Sequence, residues 1–317
     1  MHRKSGQRPD STLSTAIDRR RLLALLGAAG LAPLAPRPGR AVPATAYLSA
    51  ARLASGRHAA LGLDAAGSLV FSLDLPERAH DIAISPDRRH AVAFARRPDR
   101  FAVVLDIAAG RVRHRFDAVA GRHFFGHGFF SPDGRLLYAT ENDYDGEAGA
   151  IGVYDTTAGW RRVGEIAGVG TEPHEATLLS DGRTIVAADG GILTHPDYGR
   201  EKLNLATMAP ALVYVDRDSG EVLETARLDP ALHRLSIRHL ACEAAGTVWF
   251  GCQYEGDPGD DVGLVGRHRR GEAPELVALP GEVTRALKQY VGSVAVNRAG
   301  TRIAVTSPRG GRVVVLD

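Results

Sequence analysis

The 317-residue sequence predicts an all-β protein, a β-propeller of four-stranded antiparallel blades. Three observations carry that prediction. A tight turn recurs between alternating apolar runs, at Ser85-Pro86-Asp87-Arg88, Ser131-Pro132-Asp133-Gly134, Ser180-Asp181-Gly182-Arg183, Ala244-Ala245-Gly246 and Arg298-Ala299-Gly300. Pro-Asp and Asp-Gly supply the backbone preferences that hairpin turns demand. An apolar strand ending in aspartate, then a turn ending in glycine, recurs at residues 64–67, 106–110, 155–159 and 216–220, with a degenerate copy at 267–271. Successive aspartates of this second signal lie 42, 49 and 61 residues apart, a blade-like period with no amphipathic helical stretch between.

Taken from the N-terminus, residues 1–46 form a twin-arginine export signal and linker. Asp18-Arg19-Arg20-Arg21-Leu22-Leu23 opens a moderately apolar run to Ala35 that is too short to cross a bilayer. Prolines 33, 36, 38 and 43 follow, against continuation as a helix of the mature fold. No cysteine precedes Cys242, so no lipid-anchored cysteine is available and no stable membrane anchor is expected. The expected destination is the periplasm, with export in folded form. The whole chain carries a net +2, but residues 1–40 hold eight of the basic and two of the acidic side chains. The remainder is net −4, which argues against a nucleic-acid partner, whose phosphates need a basic stripe.

Residues 47–317 form the propeller. The second unit illustrates the pattern, with strands expected at 81–85, 90–94, 101–105 and 112–116. Six third strands can be counted, near 59–64, 101–106, 150–155, 211–216, 262–267 and 312–316. The sequence stops at Asp317, before an outer strand for the last unit, so the closure of the ring is expected to be missing.

In such blades the first–second and third–fourth turns share one face and are short here. The opposite face carries the unusual residues and is the functional candidate. Counting back seven or eight residues from each first turn reaches the start of the innermost strand, beside the channel. Those positions read His80-Asp81, Gly126-His127, His174-Glu175, Arg238-His239 and Gly292-Ser293. Four of five carry a histidine, in a chain with only 12. His80, His127, His174 and His239 are therefore candidate metal ligands; their spacing does not identify the metal, and iron and copper are the candidates. A structural hydrogen-bonding hub between blades accounts for the same pattern, as does acid/base or ligand contact. The hairpin register sets Asp189 opposite His174, Thr140 and Glu141 near His127, and Cys252 near His239. Cys242 and Cys252 are too offset to pair; Cys252 is either a soft ligand or a packed core thiol.

Around the same face, Glu141, Arg200, Lys202, Arg234, Arg238, Gln253, Tyr254 and Arg309 are candidate ligand-binding residues. The arginines could meet an anion or pair with neighbouring carboxylates. The long insertion at 190–209 is a candidate lid or partner-docking loop. Should the protein be an enzyme, of lactonase or metal-dependent oxidoreductase type, Glu175, Asp189 and His195 are the acid/base candidates. No serine sits in a nucleophile-elbow pattern.

The strings Gly126-His127-Gly128, Ala139-Thr140-Glu141-Asn142-Asp143-Tyr144, Pro173-His174-Glu175, Thr194-His195-Pro196-Asp197, 199–204, 233–239, 251–258 and 306–310 resemble a bacterial family called domain of unknown function fifteen-thirteen. The resemblance covers residues 47–317. It implies a twin-arginine-exported propeller of seven blades, a role in periplasmic iron or metal handling, and iron-uptake proteins of the periplasm as partners. It implies no catalytic residues.

Overall fold

The computed structural model describes residues 44–317; the expected twin-arginine signal lies outside the described residues. The chain runs through six antiparallel sheets in sequence order, each an uninterrupted meander. The first holds β1 (Tyr47–Arg52), β2 (His58–Leu63) and β3 (Leu69–Leu75). The second holds β4 (Ala79–Ile84), β5 (His90–Ala95), β6 (Phe101–Asp106) and β7 (Arg111–Asp117). The third holds β8 (Arg122–Phe130), β9 (Leu136–Asp143), β10 (Ala148–Asp155) and β11 (Arg161–Ile166). The fourth is β12 (Pro173–Leu178), β13 (Thr184–Asp189), β14 (Ala211–Asp216) and β15 (Val222–Ala226). The fifth is β16 (Leu235–Cys242), β17 (Val248–Tyr254), β18 (Val265–His268) and β19 (Glu275–Leu276). The sixth is β20 (Ser293–Val296), β21 (Ile303–Ser307) and β22 (Arg312–Leu316), preceded by one short helix, α1 (Gly281–Ala286).

This is a six-bladed β-propeller. Strands β4, β8, β12, β16 and β20 neighbour one another in turn, so they are the innermost strands. The seventh blade implied by the resemblance, and the missing closure, find no support in the structure: six sheets account for the described residues, four with four strands and the first and last with three.

Position within a blade decides how each strand is patterned. The middle strands lie between neighbouring sheets and are buried on both sides; every residue of β13 and β14 is buried. Their sequences, Thr-Ile-Val-Ala-Ala-Asp and Ala-Leu-Val-Tyr-Val-Asp, are correspondingly almost continuously apolar. The outer strand β7 faces solvent on one side and alternates strictly, Arg111-Val112-Arg113-His114-Arg115-Phe116-Asp117. The apolar core consequently sits between blades. Phe94 of the second blade packs edge-on against Phe124 of the third, their centroids 5.3 Å apart, and Tyr154 joins them.

The first turns work as their residues dictate. Ser85 donates its hydroxyl to Asp87, and Ser131 does the same to Asp133, each at 2.6 Å. A residue with positive φ closes each: Arg88 at 58°, Gly134 at 72° and Gly182 at 69°.

Candidate metal centre

Each of the four innermost strands that carry an axial histidine breaks its ladder at that histidine or at the residue before it. In β4 the pairing jumps from Ala79↔Ala95 to Ile82↔Ala93, leaving His80 and Asp81 unpaired. In β8 it jumps from Phe124↔Glu141 to Gly128↔Ala139, across His127. In β12 it skips His174, and in β16 it skips Arg238, next to His239. A bulge bends the strand and re-aims a side chain that regular alternation would send elsewhere. Gly126 makes the β8 bulge feasible: its φ is +109°, and a Cβ there would lie 2.5 Å from the His80 Cβ.

The result is a compact group of imidazoles from four separate blades. His80 and His127 have ring centroids 4.7 Å apart, His127 and His174 5.1 Å, His174 and His239 5.1 Å, and His127 and His239 5.4 Å. Ligand-type atoms of His80, His127 and His174 lie within 4.8 Å of one another, as do those of His127, Glu175 and His239. The Nε2 atoms of His80 and His174 are 3.4 Å apart. Two imidazole nitrogens bound tetrahedrally at about 2.0–2.1 Å from an ion would lie roughly 3.4 Å apart.

Hydrogen-bond partners assign the ring protons. His239 Nδ1 lies 3.0 Å from Glu175 Oε2, and His127 Nδ1 lies 3.3 Å from Asp81 and 3.9 Å from Glu175. Carboxylates only accept, so both rings donate from Nδ1. Their Nε2 atoms are buried and without any hydrogen-bond partner. His174 is arranged the other way. Arg238 donates to His174 Nδ1 at 3.0 Å, so the neutral ring carries its proton on Nε2 and donates it to His80.

The charge states follow from burial and neighbours. Burial, reinforced by nearby cations, holds His80 and His174 far below the ordinary histidine range, and both are neutral. Burial also lowers His239, against the pull of Glu175. For His127 burial is outweighed by Glu175 and Asp81, and its pKa is raised. Glu172, fully buried, holds Arg238 at 3.1 Å, and its Oε1 lies 3.8 Å from His174 Nδ1.

The other expected site residues are dispersed. Glu175 joins the histidine group. Asp189 lies opposite Pro173, one residue from the expected partner, and its Oδ1 accepts the backbone N–H groups of Thr171, Glu172 and Gly191. Burial raises its pKa to about 6 against those three donors. His195 sits on the rim, within reach of Asp145 and Asp197. No contact joins Glu175, Asp189 and His195 into an acid/base set among the described residues. Glu141 faces away from the channel, into a buried network with Arg122, Tyr154 and Arg162. Lys202 pairs with Glu255, which also accepts from Gln253 at 2.6 Å. Tyr254 donates to Asp260, Arg309 stacks over Tyr290, and Arg238 belongs to the histidine group. Among the described residues, the side chains of Arg234 and Arg200 have no hydrogen bond or ion pair. Cys252 is packed in the core opposite Ile237, with its thiol pKa pushed up by burial, and Cys242 is also free.

Asp81 and Glu172 are site residues that sequence reasoning passed over. Both lie within two residues of an axial histidine, which is the signal that could have found them.

Comparison with known families gives one match, "Protein of unknown function (DUF1513)", over residues 73–317. The chain belongs to this family. The DUF1513 propeller has no match among curated proteins. Among solved structures it is similar to Kuenenia stuttgartiensis hydrazine synthase, with 17% identity and a TM-score of 0.64 over 91% of this chain and 80% of that one. At that identity the likeness concerns the fold of the DUF1513 chain alone.

Proposed function

We propose that this protein is a periplasmic propeller that binds a first-row transition metal, iron or copper, at the axial histidines, as an accessory in metal acquisition. One observation carries the proposal: His127 and His239 each hold an Nδ1 proton toward a carboxylate while a buried Nε2 has no partner. A carboxylate–histidine pair of this kind orients an imidazole and makes it a better metal ligand. Burying an unsatisfied polar atom costs about 1–3 kcal/mol, and a metal ion on Nε2 removes that cost. Imidazole ligands suit iron and copper.

His80 would add a third nitrogen. His174 can join through Nε2 only if its proton moves to Nδ1 and Arg238, which donates to Nδ1 at 3.0 Å, turns away to leave Glu172 Oε1 as the acceptor. Export of folded protein is consistent with a metal inserted beforehand, and iron-uptake proteins are the proposed partners. The dispersal of Glu175, Asp189 and His195 gives no comparable support to a hydrolase.

Elemental analysis of protein exported by a twin-arginine-competent host tests this. About one equivalent of metal is expected, falling below a tenth in a His127→Ala, His239→Ala double variant that retains its β-sheet circular dichroism. A metal-free wild type, or full retention in the folded variant, would refute the site.

A further inference from the structure

Beside the histidines, the channel face gathers more positive charge than its carboxylates can balance. Arg78 precedes β4 and Arg96 follows β5, and the Arg96 N–H donates to the Arg78 carbonyl at 2.9 Å, which fixes the two side by side. Arg97 comes next in the chain. Arg200, from the 190–209 insertion, is near enough to Arg96 and Arg97 to repel both. That insertion is held at both ends of its reach: Thr194 O accepts from Asn142 of the third blade, and Lys202 pairs with Glu255 of the fifth. The local carboxylates are already engaged, Glu172 with Arg238 and Glu255 with Lys202. Among the described residues, the guanidinium groups of Arg78, Arg96, Arg97 and Arg200 have no ion pair and no hydrogen bond. Arg97 Nη1 is buried as well as unpartnered. A cavity of about 490 Å3 opens against Arg78, lined also by Arg52, His58 and His80.

Arg97 Nη1, withdrawn from water without an acceptor, is costly, whereas Arg78 and Arg200 are exposed; the planar fork of a guanidinium matches carboxylate and phosphate oxygens. We propose that Arg78, Arg96, Arg97 and Arg200 form a binding site for a small anion bearing carboxylate or phosphate groups, seated beside the histidine cluster. The site stands independently of any metal. Mutual repulsion supports it: burial together with Arg78, Arg200 and Arg97 lowers Arg96 to about 10, so it remains charged at neutral pH and gains from an anion. Arg97 is lowered chiefly by burial, with Arg238 and Arg200 acting against the pull of Glu172 and Glu255.

Isothermal titration with citrate and with inorganic phosphate, on the full mature protein after chelation of metal, tests the proposal. At least one of the two should bind with a Kd of about 1 mM or tighter, and more weakly at higher salt; which one binds better identifies the headgroup. Arg97→Gln should weaken binding roughly 10-fold, the loss expected for a charge-assisted hydrogen bond. Arg200→Gln, at an exposed loop position where folding is not at stake, should weaken it about 3-fold or more. The metal content of metal-loaded Arg200→Gln should be unchanged. Absence of heat with both anions up to about ten times that concentration would overturn the proposal. So would affinities that neither substitution alters.

Discussion

His127 and His239 each face a carboxylate through Nδ1 and a partnerless interior through Nε2, and Glu175 serves both rings. Its Oε2 also accepts the Leu240 N–H at 3.4 Å, so the carboxylate is fixed to the backbone of β16. Glu175→Gln keeps the shape but removes the charge that holds both protons on Nδ1. Loss of such a partner lowers metal affinity about 10–100-fold. Competition against a chromophoric chelator should show that loss with little change in melting temperature; an unaltered affinity would mean that Glu175 does not orient the rings. The axial histidines were legible in the sequence because the turn motifs provide fixed points from which to count. Their proton assignments were not. The partner that sets His174, Arg238, lies 64 residues away and in another blade.

The third blade shows how one buried charge can join a whole element. Glu141 on β9 is fully buried and accepts from Tyr154 of β10 at 2.6 Å, Arg162 of β11 at 2.9 Å and Arg122 of β8 at 3.2 Å. All four strands therefore contribute to one network. Gly152 leaves the room: a Cβ there would stand 1.9 Å from the Glu141 carboxylate. Removing one partner from a buried charge network costs about 3–5 kcal/mol. Glu141→Ala should lower stability to chemical denaturation by that amount, and protein that still folds should keep its metal. A loss below about 1 kcal/mol would place the network among weak surface pairs instead. In the sequence Glu141 stands beside Asn142 and Asp143 as a candidate ligand-binding residue of the channel face. Strand β9 runs on to Asp143, however, and alternation turns Glu141 into the blade. The bulges were equally hidden, since a two-for-one pairing leaves the spacing between turn and histidine almost unchanged.

Across the whole molecule, the four-strand period was readable. The expected third strands at 101–106, 211–216 and 312–316 coincide with β6, β14 and β22. The blade count and the ring's closure were not, because they depend on how sheets meet and on no local signal. Stability should depend on pH in a direction that the buried histidines set. In the metal-free protein His80, His123, His174 and His239 all have lowered pKa values, with burial the first cause in each and His123 at about 4. Unfolded histidines titrate near 6.5, so below that pH the unfolded chain takes up protons that the folded one refuses, and stability falls. His127 is raised, so its contribution is fully present below about 6.5 and is lost as pH rises through its folded value. Asp189 gains stability as pH falls from about 6, opposing the four with one group. Each titrating group changes stability by up to about 1.4 kcal/mol per pH unit. Thermal melts should therefore drop steadily from pH 7 to pH 5, and a flat profile would show that these rings are not held neutral.

The claim on which the functional account rests is that imidazoles from separate blades bind one metal ion. X-ray absorption at the edge of the bound metal addresses the ligands themselves. The account predicts a first shell of nitrogen or oxygen near 2.0–2.1 Å, with the outer-shell scattering of at least two imidazole rings, absent from the His127→Ala, His239→Ala variant. A shell without imidazole scattering, or the same spectrum from wild type and variant, would contradict it.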